Sequence, residues 1–303
     1  MKIAVSGSTG LIGSALIPVL ASQGHETVRL VRQRAVAGER AVGWDPERGT
    51  IDRAGLEGSD AVIHLAGESV VGRWTLAKKQ RIRDSRVQGT RLVSDTIAGL
   101  ARPPKVLLAA SAIGYYGDRG EEELTEQSAP GEDFLAHVAR DWEAATASAA
   151  RAGIRVANMR FGVVLARAGG ALATMLPAFR LGLGGPVGSG DQYFSWIVLD
   201  DVIRGIIHLL ATSAFVGPVN ITAPHPVTNR DFAKALGNVL GRPAVMPVPR
   251  FALRLAFGTE AADVLQNSQR VVPARLLASG FRFSYDVVGP GLRHLLAAPE
   301  RGR

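Results

Sequence analysis

The stretch Gly7-Ser8-Thr9-Gly10-Leu11-Ile12-Gly13 decides the fold that this sequence predicts. An apolar run, Ile3 to Val5, precedes it, and a helical stretch, Leu11 to Ser22, begins within it. In such a unit the first glycine permits a tight turn, the second lets the backbone approach a pyrophosphate, and the third lets the helix pack closely on the strand. The unpaired N–H groups of the first helical turn favour phosphate binding. We therefore predict that all seven residues form a dinucleotide-binding loop.

Beyond this loop, apolar runs alternate with helical stretches through the first half of the chain. The strand-like runs are Ile3 to Val5, Thr27 to Val31, Ala61 to Leu65, Val106 to Ala110 and Val156 to Met159. The helical stretches are Leu11 to Ser22, Thr75 to Leu100 and Phe134 to Arg151. This order is typical of the α/β class and predicts a doubly wound, parallel-sheet, Rossmann-like domain.

After Arg160 the sequence changes to glycine-rich turns and frequent prolines between short helices. This pattern of turns, prolines and short helices predicts a smaller, mixed, mainly helical C-terminal lobe. We expect residues 1–165 to form the dinucleotide-binding domain, with residues 196–222 returning to it. Residues 166–195 and 223–303 are expected to form the substrate lobe.

Composition narrows the class of protein further. The 303 residues are 47% hydrophobic and 20% charged, which favours a folded chain over a disordered one. The absence of cysteine excludes a disulfide scaffold, thiolate catalysis and cysteine-ligated zinc. The histidines lack the spacing of metal ligands, so no metal is expected.

The net charge of +8 is typical of proteins that bind nucleic acid. However, the basic residues are scattered along the chain, and no aromatic residues lie between them. No apolar run of membrane-spanning length occurs, and the first residues lack the order of a signal peptide. We expect a cytoplasmic protein with a small-molecule substrate and without nucleic-acid or membrane partners. A homodimer remains open as an alternative to a monomer.

The end of the second predicted strand bears on cofactor choice. An acidic residue at this position would bond a free ribose 2′-hydroxyl, but the chain has Arg32 there. Arg32, assisted by Arg34 or Ser8, would pair with a 2′-phosphate, so NADP is predicted in preference to NAD. The alternative is that Arg32 only faces solvent.

Several motifs resemble the extended and atypical short-chain dehydrogenase/reductase superfamily, and more narrowly its epimerase-like subfamily, often labelled NAD-dependent epimerase/dehydratase. They are SGSTGLIGSAL from Ser6, His64-Leu65-Ala66-Gly67, Gly72-Arg73-Trp74-Thr75, Ser85-Arg86, SAIGYYG from Ser111, Asp141-Trp142-Glu143, RFGVVL from Arg160, Ser195-Trp196-Ile197, Pro226-Val227-Thr228-Asn229 and Ser268-Gln269-Arg270-Val271. The resemblance implies a Rossmann-like domain with a C-terminal substrate lobe. It also implies that Leu65, Ala66, Gly67 and Arg86 line the cofactor path, with Val163 near the nicotinamide.

The chain departs from this superfamily in its acid–base residues. The superfamily uses a Tyr followed four residues later by a Lys, in which the ammonium lowers the phenol pKa. No Tyr-x-x-x-Lys occurs in this sequence; Phe134 or Leu135 stands at the Tyr position, and Val138 or Ala139 at the Lys position. The substitutes we consider are the phenols of Tyr115 and Tyr116, with Ser111 or Ala112 at the position of the superfamily's substrate-binding Ser. A loop that is merely packed is the alternative.

Candidate substrate residues lie in the turn-rich second half and on the long helix. Gln192, Trp196 and Arg270 could face the cleft, and Arg270 would suit an anionic substrate. Lys79 is a further candidate near the cofactor. The function expected is that of an NADP-dependent oxidoreductase or epimerase acting on an unidentified small molecule. The alternative is a non-catalytic NADP-binding sensor or regulatory protein.

Overall fold

The protein is described by a computed structural model that covers residues 1–32, 41–249, 251, 254–255, 258–264 and 266–297. The strands are β1 (Lys2–Ser6), β2 (Glu26–Val31), β3 (Ala41–Asp45), β4 (Thr50–Ile51), β5 (Ala61–His64), β6 (Val106–Ala112), β7 (Glu123–Leu124), β8 (Arg155–Phe161), β9 (Val163–Ala166), β10 (Tyr193–Phe194), β11 (Trp196–Val198), β12 (Gly217–Ile221), β13 (Val227–Thr228) and β14 (Arg270–Val271). The helices are α1 (Leu11–Ser22), α2 (Arg53–Leu56), α3 (Leu76–Ala98), α4 (Phe134–Ala144), α5 (Ala147–Arg151), α6 (Gly170–Arg180), α7 (Leu199–Ala211), α8 (Asn229–Leu240), α9 (Thr259–Val264), α10 (Ala274–Ala278) and α11 (Val288–Ala297).

The main sheet has eight strands in the order β12-β8-β6-β5-β1-β2-β3-β4. All neighbouring pairs are parallel except β3 and β4, which are antiparallel. The strand order reverses at β1, so β2 lies on one side of it and β5 on the other. A crevice at such a reversal, outside the carboxyl ends of the strands, is where ligands bind in open α/β sheets. The predicted fold class is confirmed, although the β3–β4 hairpin was not predicted.

Apolar layers cover both faces of this sheet. Ile3 and Val5 of β1 belong to one core with α1 and α7, whereas Ala4 belongs to the other with α3 and α5. This assignment follows from the two-residue periodicity of a strand, which points successive side chains to opposite faces. The stretch predicted as one helix from Phe134 to Arg151 is two helices, α4 and α5.

A third apolar core belongs to the C-terminal lobe. It joins α6, α8 and α11 to β9 and β11, with Phe179, Phe232 and Leu292 among its buried residues. Of the stretch 196–222, β12 pairs with β8 in the main sheet and α7 packs on that sheet, whereas β11 pairs with β9 in a separate two-stranded sheet. The domain boundaries themselves stay a prediction. In the described part of the chain, no helix has the length and apolar character needed to cross a bilayer.

Candidate functional site at the carboxyl edge of the sheet

The glycine loop connects β1 to α1 at the reversal of strand order. Gly7 has a φ of 66°, and a Cβ added there would lie 2.7 Å from the carbonyl carbon of Leu65. A Cβ on Gly13 would overlap the carbonyl oxygen of Gly7. A Cβ on Gly10 would meet only that same oxygen, at 3.3 Å, so the space beyond Gly10 is open. The three glycines therefore differ: Gly7 and Gly13 allow close packing, and Gly10 faces free space.

The start of α1 has no capping side chain, a property that it shares with α6 and α7. Its N-cap is Gly10, which has no side chain to accept from the first turn. By contrast, α3, α4 and α8 are capped by the side chains of Thr75, Asp133 and Thr228. The first-turn N–H groups of α1 are thus left without a capping side chain, as an anion-binding helix terminus requires.

A buried Ser–His pair fixes the neighbouring strand ends. Ser6 Oγ accepts hydrogen bonds from the backbone N–H groups of Leu65 and Ala66, at 3.1 and 3.3 Å. Its own proton is therefore donated to His64 Nδ1, 2.6 Å away. Burial lowers the pKa of His64 to about 4, so its ring is neutral near pH 7. The pair locks the predicted cofactor residues Leu65 and Ala66 against the glycine loop.

Two arginines border the loop at the end of β2. Arg32 follows the strand directly and is exposed. Arg29 Nε donates to the hydroxyl of Ser8 in the loop at 3.2 Å, a contact that the sequence analysis missed. Two features of the sequence could have predicted the contact between Arg29 and Ser8. They are the alternation of side chains along β2 and the nearness of Arg29 to Arg32. Arg34 lies outside the described residues.

Arg86, a predicted residue of the cofactor path, lies next to Gly67. Its guanidinium carbon is 3.4 Å from the position that a Cβ on Gly67 would take, and 5.0 Å from the ring centre of Trp142. Its Nη1 donates to the carbonyl oxygens of Glu68 and Ile82. Burial lowers the pKa of Arg86 to about 10. The Glu68 carboxylate instead pairs with Lys78 at 2.7 Å, which lowers its pKa.

A buried network lies at the end of β6, where reaction chemistry was expected. Ser111 Oγ donates to Glu143 Oε1 at 2.7 Å. Arg160 on β8 pairs with both oxygens of the same carboxylate, through Nε at 2.7 Å and Nη2 at 2.8 Å. Burial acts to lower the pKa of Arg160, but the hydrogen bonds and charge of Glu143 outweigh it and raise that pKa. Glu143 and Arg160 both lie in motifs that resemble the family, but their contact was not predicted from the sequence.

The two tyrosines of this region have different surroundings. Tyr116 is fully buried; its hydroxyl donates to Asn220 Oδ1 at 2.7 Å and accepts from Arg160 Nη1 at 3.0 Å. Burial raises the pKa of Tyr116 to about 12, against the opposing effect of Arg160. The expectation that Tyr116 donates a proton to substrate is therefore wrong, since its hydroxyl is enclosed. Tyr115 is only partly buried, and its ring centre lies 3.5 Å from the Arg160 guanidinium.

Helix α4 carries apolar residues where the superfamily's Tyr and Lys are expected. Leu135 Cβ lies 3.4 Å from the position of a Cβ on Gly114, in the short 3₁₀ turn Ile113–Tyr116. Val138 and Ala139 are buried, and Phe134 packs edge-on against Trp74. Ala112, the last residue of β6, has no polar side chain. The hydroxyl in contact with α4 is therefore that of Ser111.

The predicted substrate residues are scattered rather than assembled. Trp196 is fully buried and its indole donates to the carbonyl of His225, so its expected place in the cleft is wrong. Gln192 donates to the carbonyl of Val187, and Arg270 lies 3.6 Å from Glu123. Lys79 binds both oxygens of Glu260, at 2.7 and 2.8 Å. Val163 starts β9, next to the end of β8.

Comparison with known proteins decides the family. Residues 3–221 match the NAD dependent epimerase/dehydratase family, and residues 248–295 match a domain of unknown function, DUF1731. The chain belongs to the NAD dependent epimerase/dehydratase family. The resemblance described from the motifs is thus confirmed.

Members of the family match the whole chain. The epimerase family protein Mb2239 of Mycobacterium bovis is 42% identical over 300 residues, covering 98% of both chains. A crystal structure of the human epimerase family protein SDR39U1 with NADPH superposes with a TM-score of 0.89 at 35% identity, covering 98% of this chain and 99% of that one. UDP-glucose 4-epimerase of Thermus thermophilus, at 20% identity and a TM-score of 0.75, shares the fold.

The family's segment of unknown function holds the loop that follows β6. Ser268 N–H donates to Asp118 Oδ1 at 2.9 Å, and Gln269 Nε2 donates to the carbonyl of Gly117 at 3.0 Å. Asn267 Nδ2 donates to Asp133, the N-cap of α4. β14 then pairs with β7 in parallel. Residues 267–271, which include the motif Ser268-Gln269-Arg270-Val271, therefore hold the loop that follows Tyr116 and the start of α4.

Proposed function

We propose that the protein is an NADP-dependent oxidoreductase or epimerase that acts on an unidentified small molecule. The observation that carries the proposal is the glycine loop with an uncapped helix start, in which Ser8 accepts from Arg29, with Arg32 exposed at the end of the same strand. The crystal structure of human SDR39U1 with NADPH, a relative of 35% identity, supports the same cofactor here. The proposal includes a cytoplasmic location and no nucleic-acid or membrane partner, and it leaves a homodimer open.

The residues present fit a dinucleotide. The first-turn N–H groups of α1 would bind the pyrophosphate, and the free space beyond Gly10 would admit it. Arg32 and Arg29 would form charge-assisted hydrogen bonds with a 2′-phosphate, because guanidinium groups match phosphate oxygens. Leu65, Ala66, Gly67 and Val163 would form the wall of the cofactor path. When bound, NADPH supplies a hydride.

Tyr115 is the proton donor in this proposal. Its hydroxyl belongs to a side chain that is not enclosed, unlike that of Tyr116. The ring rests on Arg160, which Glu143 holds in place, and Glu143 in turn accepts from Ser111. A phenol positioned in this way would protonate an alkoxide as it forms from a carbonyl group. General acids of this kind contribute about 10²–10⁴-fold to rate.

Calorimetric titration tests the cofactor. NADPH is expected to bind more tightly than NADH by about 1–3 kcal/mol, because only NADPH has a 2′-phosphate to pair with Arg32. The Arg32→Ala variant should lose most of this preference, with Arg29 retaining a part of it, and keep its affinity for NADH. Arg151→Ala is the matched control, since Arg151 ends α5 just before the amino end of β8, at the opposite edge of the sheet. Equal affinities in the parent protein would contradict the role of Arg32.

The second candidate is an NADP-binding sensor without turnover. It is favoured by the apolar Leu135 and Ala139, which leave α4 without an acid–base pair. A screen of carbonyl compounds for NADPH oxidation separates the two, with Tyr115→Phe compared with the parent. Loss of turnover at unchanged NADPH affinity supports the enzyme. Tight NADPH binding without turnover of any carbonyl compound supports the sensor, and unchanged turnover removes Tyr115 from the reaction.

A further inference from the structure

The loop that follows β6 folds back on itself next to Tyr115. The N–H group of Gly131 donates to the carbonyl oxygen of Tyr115 at 2.9 Å. A Cβ on Gly131 would lie 2.7 Å from the Cα of Gly117, whose φ of 66° suits glycine. We refer to Gly117 and Gly131 as the crossing. The crossing brings the two ends of segment 117–131 together and holds the backbone of Tyr115.

Two side-chain amides of the C-terminal segment bind at this crossing. Gln269 Nε2 donates to the carbonyl oxygen of Gly117 at 3.0 Å. Asn267 Nδ2 donates to Asp133 Oδ2 at 2.7 Å, and the same oxygen lies 3.5 Å from the position of a Cβ on Gly117. The other oxygen of Asp133 accepts from the N–H group of Ala136 at the start of α4. The two amides therefore attach the C-terminal segment to both the crossing and α4.

The backbone of the C-terminal segment is fixed independently of these amides. The buried hydroxyl of Ser195 donates to the carbonyl oxygen of Gln269 at 2.6 Å and accepts from the N–H group of Val271 at 2.9 Å. Val271 is fully buried in one apolar core with Tyr116 and Leu124. A change of the Gln269 side chain should therefore leave the segment folded and remove only its bond to the crossing.

The hydroxyl of Tyr115 depends on the loop backbone for its position. Within the residues that the structure describes, no hydrogen bond fixes that hydroxyl, whereas the hydroxyl of Tyr116 has two partners. The Tyr115 ring packs on the guanidinium of Arg160 at 3.5 Å and edge-on against the Tyr116 ring at 5.4 Å. A shift of the Tyr115 backbone would therefore move its hydroxyl. Misplacement of a reacting group by about 1 Å can cost about 10²-fold in rate.

We propose that the side-chain amides of Gln269 and Asn267 are positioning groups, which hold the crossing so that the Tyr115 hydroxyl stays in place for proton transfer. The proposal rests on the proposed function, in which Tyr115 is the proton donor. Neither amide touches the reacting atoms, and both act through the backbone of Tyr115. The proposal gives a role in the reaction to the C-terminal domain of unknown function, residues 248–295.

Fluorine NMR of the full chain labelled with 3-fluorotyrosine tests the position of Tyr115. The chain has four tyrosines, so four resonances are expected, and Tyr115→Phe identifies the one from Tyr115. Gln269→Met keeps the side-chain length and removes the N–H donor, and Gln269→Lys supplies a donor again. Gln127→Met is the matched control, since Gln127 is exposed on the same loop.

The Tyr115 resonance should shift in Gln269→Met, return towards its parent position in Gln269→Lys and stay unchanged in Gln127→Met. Asn267→Leu removes the second donor and should shift the same resonance. The Tyr285 resonance should stay in place in all these variants, because that ring stacks on His294 in α11.

Kinetics test whether this position matters for the reaction. NADPH oxidation is followed with 9,10-phenanthrenequinone as the carbonyl probe, and NADPH affinity is measured by calorimetry. Gln269→Met should lower kcat about tenfold, because the proton donor is displaced, and leave KM and the affinity for NADPH unchanged. Gln269→Lys should recover kcat. A residue that only stabilised the fold would not give this division between kcat and KM.

An unchanged Tyr115 resonance in both Gln269→Met and Asn267→Leu would overturn the proposal, and so would a kcat of Gln269→Met equal to that of the parent. A parent protein that binds NADPH without turnover would count against the proposed enzyme. The Tyr115 resonance would then decide by itself whether the two amides hold this side chain.

Discussion

At the glycine loop the first-turn N–H groups of α1 have no side-chain partner, whereas at the end of β6 the polar side chains are bonded to one another. α1 starts at Gly10 without a capping side chain, and the space beyond Gly10 is open. Ser111, Glu143, Arg160, Tyr116 and Asn220 instead form a continuous hydrogen-bonded series. The difference indicates that the first region is built to receive a ligand. The second region is built to hold its own shape, with Tyr115 resting on it.

The largest effect on stability is expected when the carboxylate of the buried network is removed. Glu143→Gln leaves the Arg160 guanidinium buried without a counter-charge, so we expect a loss of about 3–5 kcal/mol in the free energy of unfolding. Asp141→Asn is the control on the same helix, because its pair with Arg83 is partly exposed. It should cost at most about 1 kcal/mol. Urea unfolding of both variants measures this, and equal losses would contradict the structural role of Glu143.

The next prediction concerns the Ser6–His64 pair and the dependence of stability on pH. The pKa of His64 is lowered from 6.5 to about 4 in the folded protein. A lowered pKa means that the unfolded chain takes up a proton first, so stability is fully present above pH 6.5 and declines as the pH falls. The loss by pH 4 should be about 3 kcal/mol.

Urea unfolding at pH 7 and pH 4 tests this value against two variants. His64→Asn keeps an acceptor for Ser6 and should lose this part of the pH dependence. His137→Asn, at an exposed ring, should retain it. If the parent and His64→Asn lose the same stability on acidification, the neutral state of His64 is not what stabilises the strand ends.

The smallest expected effect concerns Gly10, the glycine of the loop that faces free space. Gly10→Val places a side chain in the volume that a pyrophosphate needs, so NADPH affinity should fall about a hundredfold, or about 2.7 kcal/mol. The thermal midpoint of the ligand-free protein should change little, because the added Cβ meets only one backbone oxygen at 3.3 Å. Calorimetry and thermal unfolding measure the two effects. Retained NADPH binding would argue against the placement of the pyrophosphate.

Some site residues could be found from the sequence and others could not. The spacing of Gly7 and Gly13 predicts that the chain turns tightly and packs closely there. The positive φ of Gly7 and the close contacts at both glycines agree with this prediction. The enclosure of Tyr116 depends on Asn220, which is 104 residues away. The loop that contains both tyrosines is held by Gln269, 152 residues from Gly117. Such pairings leave no periodic signal in the chain, so Tyr116 and Trp196 were misplaced.

The sequence by itself determined the fold class, the glycine loop and the absence of Tyr-x-x-x-Lys. These features depend on backbone conformation and on spacing within a few residues, which neighbouring side chains set directly. Only the tertiary structure decided that Tyr115 and not Tyr116 remains accessible, that Glu143 pairs with Arg160, and that the C-terminal motif holds the loop after β6. Burial and charge pairing arise where distant elements meet, and the packing of those elements determines which polar groups stay free to react.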